Sequence, residues 1–412
     1  MQETPRSNRL HIAIFGKRNA GKSSLINALT HQDIALVSPV AGTTTDPVYK
    51  TMEILPIGPV VMIDTAGIDD EGSLGTLRIQ KTYQILNKTE LALLVIDGSE
   101  GISDYDQALI ARIKERHIPI IGVVNKIDRM DIEENILIEW EKMYDMPFVK
   151  VSATHGEGIE ALKQYMIKQA NTEKHEKVIV GDLIQPYDFV VLVTPIDKAA
   201  PKGRLILPQQ QTIRDILDHG AMVIVTRETE LKATLEGLGK KPKLVITDSQ
   251  AFAKVSQDVP GDIPLTSFSI LFARYKGDLE ELVLGAKKIK QLNPGDRVLI
   301  CEGCTHHRQE EDIGKVKIPK WIEKIVGGKL NFQWTSGTHY PEPQEMKQFN
   351  LIVHCGGCML NPKEMEFRIN QAIDNHTPIV NYGVLIGFVA GVLERALEPF
   401  PEVKKLFTMS KK

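Results

Sequence analysis

All four cysteines of this 412-residue chain fall between positions 301 and 358, as two Cys-x-x-Cys pairs set among histidines. The first reads Cys301-Glu-Gly-Cys304-Thr-His306-His307 and the second His354-Cys355-Gly-Gly-Cys358. Thiolates at this spacing hold soft metals or cycle as a redox dithiol. Near the start of the chain a second group promises different chemistry. Gly16-Lys-Arg-Asn19-Ala20-Gly21-Lys22-Ser23-Ser24 matches G-x-x-x-x-G-K-S. Its glycines let a loop wrap phosphate oxygens with backbone N–H groups, Lys22 brings charge to the β- and γ-phosphates, and the Ser23 hydroxyl suits magnesium.

Four more elements narrow the nucleotide. Asp64-Thr-Ala-Gly67 ends an apolar run, so Asp64 can reach the magnesium through water while the Gly67 N–H meets the γ-phosphate. Asn125-Lys126-Ile-Asp128 ends another run. An aspartate there accepts two hydrogen bonds from the ring N–H and exocyclic amine of guanine, which adenine does not offer together. Ser152-Ala153 follows the next run and can present a backbone N–H to the guanine carbonyl. Gly42-Thr43-Thr44-Thr45-Asp46 supplies threonines for magnesium, with Thr44 the expected ligand and Thr43 and Thr45 its neighbours. Five elements in this order make a site for GTP and GDP with Mg2+.

The set resembles the G domains of translation-factor-related GTPases, which include tRNA-modification and ribosome-assembly members. Ile68 stands directly after Asp-Thr-Ala-Gly, where Ras-like proteins carry the glutamine that orients the attacking water. An isoleucine cannot do this. Asn19 matches the P-loop asparagine that helps hold K+ in potassium-activated relatives, and the resemblance implies a slow, potassium-activated GTPase.

Spacing alone leaves the thiol site open among structural zinc, an iron–sulfur cluster and a redox dithiol. Paired Cys-x-x-Cys zinc sites usually have about 15–20 residues between the pairs, whereas residues 305–354 intervene here, with a helix expected around Lys320–Ile325. The histidines carry more information. His306 lies two residues after Cys304 and His354 directly precedes Cys355. This Cys-x-His … His-Cys-x-x-Cys arrangement resembles the iron–sulfur motif of the GTPase family that matures di-iron (FeFe) hydrogenases. The resemblance covers the whole chain: G domain, cysteine-free middle, then thiol motif.

That resemblance implies a 4Fe-4S cluster on Cys304, Cys355 and Cys358, leaving one iron exchangeable. It implies transient carriage of a di-iron precursor, built with two radical-SAM maturases and handed to apo FeFe hydrogenase. His306, His307 and His354 either fill the open position reversibly or act as outer donors that tune the cluster. Cys301 lies outside the pattern. It is either a fourth ligand, which would close the cluster, or a small buried residue ending its strand.

The elements that must position these groups are legible as an α/β pattern. β-branched runs at His11–Phe15, Val60–Ile63, Leu91–Ile96, Ile118–Val124 and Phe148–Val151 alternate with helical stretches, predicting a parallel sheet covered by helices. After the polar linker Asn171–Lys177, runs at Phe189–Thr194, Met222–Thr226 and Leu244–Thr247 predict a small α/β domain without phosphate loop or cysteine. A third unit is expected from near Leu265, with strands Arg297–Cys301, Phe349–His354 and Pro378–Tyr382. Two of these end on the thiol pairs, where ligands of open α/β sheets sit. Asn361-Pro362 reads as a helix start, and Met365, Ile369, Ala372 and Ile373 as its buried stripe. The expected division is a P-loop GTPase domain at 8–170, an α/β dimerisation domain at 178–263 and an α/β iron–sulfur domain at 264–400.

Composition sets the outer limits. Hydrophobic residues at 42% and charged residues at 25% suit a soluble globular protein, and a net charge of -3 gives no pull toward nucleic acid or anionic membrane. The polar first ten residues and the short apolar stretch Val384–Leu393 predict a cytoplasmic protein. In that reducing compartment paired thiols favour metal or redox chemistry over structural disulfides. The expected assembly is a homodimer, with neither nucleic acid nor membrane as partner. Two alternatives compete: an RNA- or ribosome-associated GTPase with structural zinc, and a redox-responsive GTPase without metal.

Overall fold

The computed structural model describes residues 5–30, 47–65, 81–130, 132–172, 177–195, 205–303, 312–337 and 339–409. Two compact units divide the chain, Met1–His175 and Glu176–Lys412.

In the first unit the strands are β1 (Leu10–Phe15), β2 (Val48–Ile54), β3 (Gly58–Asp64), β4 (Leu91–Asp97), β5 (Ile120–Asn125) and β6 (Phe148–Lys150). Their order across the sheet is β2-β3-β1-β4-β5-β6. Only β2 runs antiparallel, against β3. Each β-branched run expected as a strand forms one, and β2 is an addition. Helices such as Lys22–Thr30 and Asp104–Glu115 connect them. Along β1, Ile12 and Ile14 enter one apolar layer while Ala13 and Phe15 enter another. The period-2 alternation of a strand requires this when both faces are covered. It also explains why β1, β4 and β5 read as unbroken apolar runs.

The second unit holds two four-stranded sheets. One, ordered β10-β9-β7-β8, contains β7 (Phe189–Val193), β8 (Met222–Thr226), β9 (Leu244–Thr247) and β10 (Leu265–Ser267). The other, ordered β12-β11-β13-β14, contains β11 (Arg297–Glu302), β12 (Asn331–Ser336), β13 (Leu351–His354) and β14 (Ile379–Asn381). All pairings in both sheets are parallel.

Two expectations change here. Leu265, expected to open a third unit, lies in β10, which pairs with β9 and completes the middle sheet. A single apolar core then runs from Val190 in β7 to Val353 in β13, so no break falls at 263–264. In the helix Pro362–Asp374, Met365, Ile369 and Ala372 are buried as expected, but Ile373 is 38% exposed. At about 100° per residue Ile373 stands roughly 80° from Met365, while Arg368 stands only about 60° away on the other side. Arg368 takes the buried place, at 1% exposure.

Candidate functional site

The nucleotide group gathers at the carboxyl ends of β1, β3, β5 and β6. The loop Gly16–Gly21 joins β1 to the helix Lys22–Thr30. Gly16 has φ +139°, and a Cβ there would lie 2.2 Å from the Val95 carbonyl oxygen, so only glycine fits. Asn19 holds a left-handed φ of 62°, which asparagine tolerates better than most residues. The Lys22 ammonium donates to the Gly16 and Lys17 carbonyls at 2.9 and 2.6 Å, which places its charge inside the loop. Ser23 Oγ donates to Asp64 Oδ2 at 2.9 Å. A hydroxyl from the helix start and a carboxylate from the end of β3 thus meet at one point, as a magnesium site needs. Burial raises the Asp64 carboxyl above its ordinary value, against the opposing pull of Ser23 and of Lys22 and Lys50. Ser24 is exposed on the first turn.

At the base-recognition end Asn125 works as a strut. Its Nδ2 donates to the Ala20 carbonyl at 2.9 Å, and its Oδ1 accepts the Ala153 N–H at 3.1 Å. The Ala153 donor, expected at a guanine carbonyl, is here engaged by Asn125. Ser152 Oγ donates to Asp128 Oδ1 at 2.6 Å and holds that carboxyl below its ordinary value. Sequence reading missed Asp97, which accepts the Lys126 ammonium at 2.6 Å. Burial pushes the Asp97 carboxyl up, but Lys126 and Ser99 outweigh it and the net shift is down. The signal was its place at the end of β4, in register with Asn125. Thr43, Thr44, Thr45, Gly67 and Ile68 lie outside the described residues.

The thiol group forms at the carboxyl ends of β11 and β13. Cys301 is in register with His354 and with Thr335, and its carbonyl accepts the Cys355 N–H at 2.8 Å. It is wholly buried, and burial pushes its thiol up to about 12. That environment suits a neutral small side chain, the second of the two roles expected of it. Cys355 differs. Its Sγ accepts two backbone N–H groups, from Gly303 at 3.1 Å and Gly357 at 3.4 Å. Burial still raises this thiol above its ordinary value. Gly357 has φ +59°, the left-handed turn that brings its N–H back onto the sulfur. Cys358 is exposed. Cys304, His306 and His307 lie outside the described residues, and among those described no group of three or more His, Cys, Asp or Glu side chains could hold a metal ion.

His354 is fully buried, and both ring nitrogens are engaged. Nδ1 donates to the Cys355 carbonyl at 2.8 Å, because a carbonyl only accepts. Nε2 then accepts from Arg368 Nη1 at 3.1 Å. Burial and Arg368 push the imidazole down to about 3, so it is neutral. Both ring nitrogens are thus satisfied by groups of the protein, the Cys355 carbonyl and the Arg368 guanidinium. Arg368, absent from the sequence reading, also donates to the Gly337 carbonyl and to Glu364 Oε1. It lies over the Tyr340 ring, 5.1 Å from its centroid. Lys276 was missed as well. It is 2% exposed, and its ammonium donates to the carbonyls of Gly357, Cys358 and Leu360. Burial pushes it down to about 8. Asn361 caps the helix Pro362–Asp374 as expected, accepting the Glu364 N–H at 3.1 Å.

Comparison with known proteins matches three stretches. Residues 280–399 match the hydrogen maturase F tetramerization domain, 179–277 the hydrogen maturase F dimerization domain and 11–126 the 50S ribosome-binding GTPase. Among curated relatives, the GTPase Der of Mycoplasmopsis pulmonis is 35% identical over 187 residues, which is 42% of this chain and 43% of that protein. The tRNA modification GTPase MnmE of Laribacter hongkongensis is 35% identical over 160 residues, 39% of this chain and 34% of that protein. The chain therefore spans less than half the length of these relatives. Among solved structures, the FeoB G domain of Methanococcus jannaschii is 23% identical, with a TM-score of 0.32, over 40% of this chain and 98% of that one. Among the described residues no helix is long and apolar enough to cross a membrane.

Proposed function

Since this chain belongs to the hydrogen maturase F family, we propose that it is a GTP-hydrolysing scaffold that holds a 4Fe-4S cluster and delivers a di-iron precursor to apo FeFe hydrogenase. The observation that carries this reading is the Cys355 sulfur, which receives two backbone N–H groups at the carboxyl ends of β11 and β13. Amide donors aimed at sulfur are what an anionic metal thiolate needs, and they tune iron–sulfur sites. The donor set fits the cluster. Cys304, Cys355 and Cys358 would hold it, and three thiolates leave one iron able to accept cargo. His354, with Arg368 behind it, supports the Cys355 backbone as an outer contact.

On the nucleotide side, Lys22 and the Gly67 N–H would stabilise the γ-phosphate, and Ser23, Thr44 and Asp64 would serve magnesium. Asn125, Lys126, Asp128 and the Ser152–Ala153 loop would select guanine. Ile68 offers no hydrogen bond to water, so Asn19 is read as a ligand for a potassium ion that takes over charge stabilisation. GTP turnover in potassium buffer is expected to exceed that in sodium buffer by at least about tenfold, a small part of the roughly 10³–10⁵ an arginine finger supplies. Steady-state phosphate release in the two buffers checks it, and equal rates would sink the potassium role.

We place the nucleotide domain at 8–170, the association domain from 178 to 277 and the cluster domain beyond it, shifting the boundary past β10. One association domain of each kind favours a tetramer built from dimers over the dimer alone. The two radical-SAM maturases and a cytoplasmic setting belong to the same proposal. The RNA-bound and redox-switch readings draw no support from the second unit, of which residues 179–277 and 280–399 match the maturase domains. Anaerobic reconstitution with iron and sulfide, followed by metal analysis and electron paramagnetic resonance, tests the cluster. Stoichiometric zinc without bound sulfide would overturn it. Activation of apo-hydrogenase by the loaded protein then separates a carrier from a regulator.

A further inference from the structure

We propose that Lys276 is a positioning residue and a fixed positive charge for the thiol site, through which the middle sheet raises the reduction potential of the metal held there. The inference rests on the cluster reading above. Lys276 ends the helix Phe268–Lys276, which starts directly from β10 with Ser267 as its cap. Its backbone anchor is therefore the middle sheet, while its ammonium reaches the loop after β13.

There Nζ lies 3.0 Å from the Gly357 carbonyl oxygen, 3.3 Å from that of Cys358 and 2.9 Å from that of Leu360. Three acceptors match the three donors that only the ammonium form has. These bonds fix the turn whose Gly357 N–H meets the Cys355 sulfur. Among the described residues no carboxylate pairs with Lys276. A buried ammonium without a counter-charge is costly, and carbonyl dipoles offset only part of that cost. Asp248 lines a cavity with Lys276, but the groups that act on the Lys276 charge are the thiols of Cys358 and Cys355, which become negative when metal displaces their protons. The charge is thus built for the metal-bound state. That cavity, of about 160 Å³, shows the same convergence, with Asp248, Ser249 and Phe268, which directly follow β9 and β10, meeting Cys358, Gly356 and Lys276.

A positive charge beside a cluster favours its reduced, more negative state. The test uses full-length protein reconstituted with iron and sulfide, and an electron paramagnetic resonance redox titration. Lys276→Gln removes the charge but keeps donors for the loop, so its midpoint is expected to move to more negative potential at unchanged iron and sulfide content. Lys276→Arg keeps the charge and is expected to stay near wild type. An unchanged midpoint in Lys276→Gln overturns the proposal, as does an equal displacement in both variants. If Lys276→Gln is folded by circular dichroism yet holds no cluster while Lys276→Arg does, the charge requirement stands. If neither variant loads while wild type does, Lys276 is a structural clamp and the charge role fails. Failure of wild type to load would instead count against the cluster reading itself.

Discussion

Protein carrying Cys355→Ser is expected to leave anaerobic reconstitution with iron and sulfide at background, and to activate no apo-hydrogenase. Serine keeps the size and loses the chemistry. Its hydroxyl is not ionised near neutral pH, and iron in a sulfide cluster prefers soft thiolate donors. The two N–H groups of Gly303 and Gly357 that converge on the sulfur would then face a neutral oxygen on a shorter bond. For scale, a four-ligand structural Zn2+ site is worth about 10–16 kcal/mol, so one thiolate carries roughly 3 kcal/mol, about a hundredfold in occupancy. Cys301→Ser is the control that makes the result specific. Its sulfur is wholly buried beside Thr335, with burial pushing the thiol up to about 12. That variant is expected to retain iron and sulfide, with a lower melting temperature as its only defect. Iron and sulfide assays on both proteins decide the matter. Cluster loss in Cys301→Ser with retention in Cys355→Ser would reverse the ligand assignment.

The pattern of what was readable in the chain follows from where burial is complete. Strands β1, β4, β5, β7, β9, β11 and β13 are buried on both faces, so their residues form apolar runs, and those of β1, β5, β11 and β13 lead into the motifs. The three unanticipated strands, β2, β10 and β12, are each the edge of a sheet. An edge strand in β2 or β12 is half-exposed and mixes polar with apolar residues, as Val48–Ile54 and Asn331–Ser336 do. β10 is buried but only three residues long, too short to show a period. The nucleotide motif was legible because its backbone demands name the residues, as at Gly16. The support of the thiol site was not. Lys276 and Arg368 are charged residues on helices, and nothing in residue type says that a charge will be buried. Arg368 did leave a trace, since it falls on the face of Met365, Ile369 and Ala372. Its burial depends on partners far away in the chain, His354 and the Gly337 carbonyl, which helical periodicity does not report.

Substituting Asp128→Asn is expected to exchange GTP for xanthosine triphosphate as the preferred nucleotide. Asp128 sits on the loop after β5, held by Ser152 Oγ at 2.6 Å, which keeps its carboxyl below the ordinary value and therefore ionised. An ionised carboxylate accepts only, which suits the ring N–H and exocyclic amine of guanine. Asparagine turns one acceptor into a donor. One guanine hydrogen bond is then lost and a donor faces a donor, while xanthine offers a carbonyl where guanine has its amine. A hydrogen bond to a charged group is worth about 1.5–3 kcal/mol, so losing that one sets a GTP penalty of roughly 10–10²-fold, with the donor–donor contact adding to it. Affinity for xanthosine triphosphate is expected to rise in the same variant, because each xanthine edge group finds its complement. The P-loop contacts of Lys22 and the strut from Asn125 to Ala20 involve no atom of Asp128, so the phosphate half of the site stays as it is. Competition binding with the two nucleotides measures both arms. A uniform loss for both would mean that Asp128 braces the Ser152 loop rather than reading the base. A switch in preference shows that it reads the base.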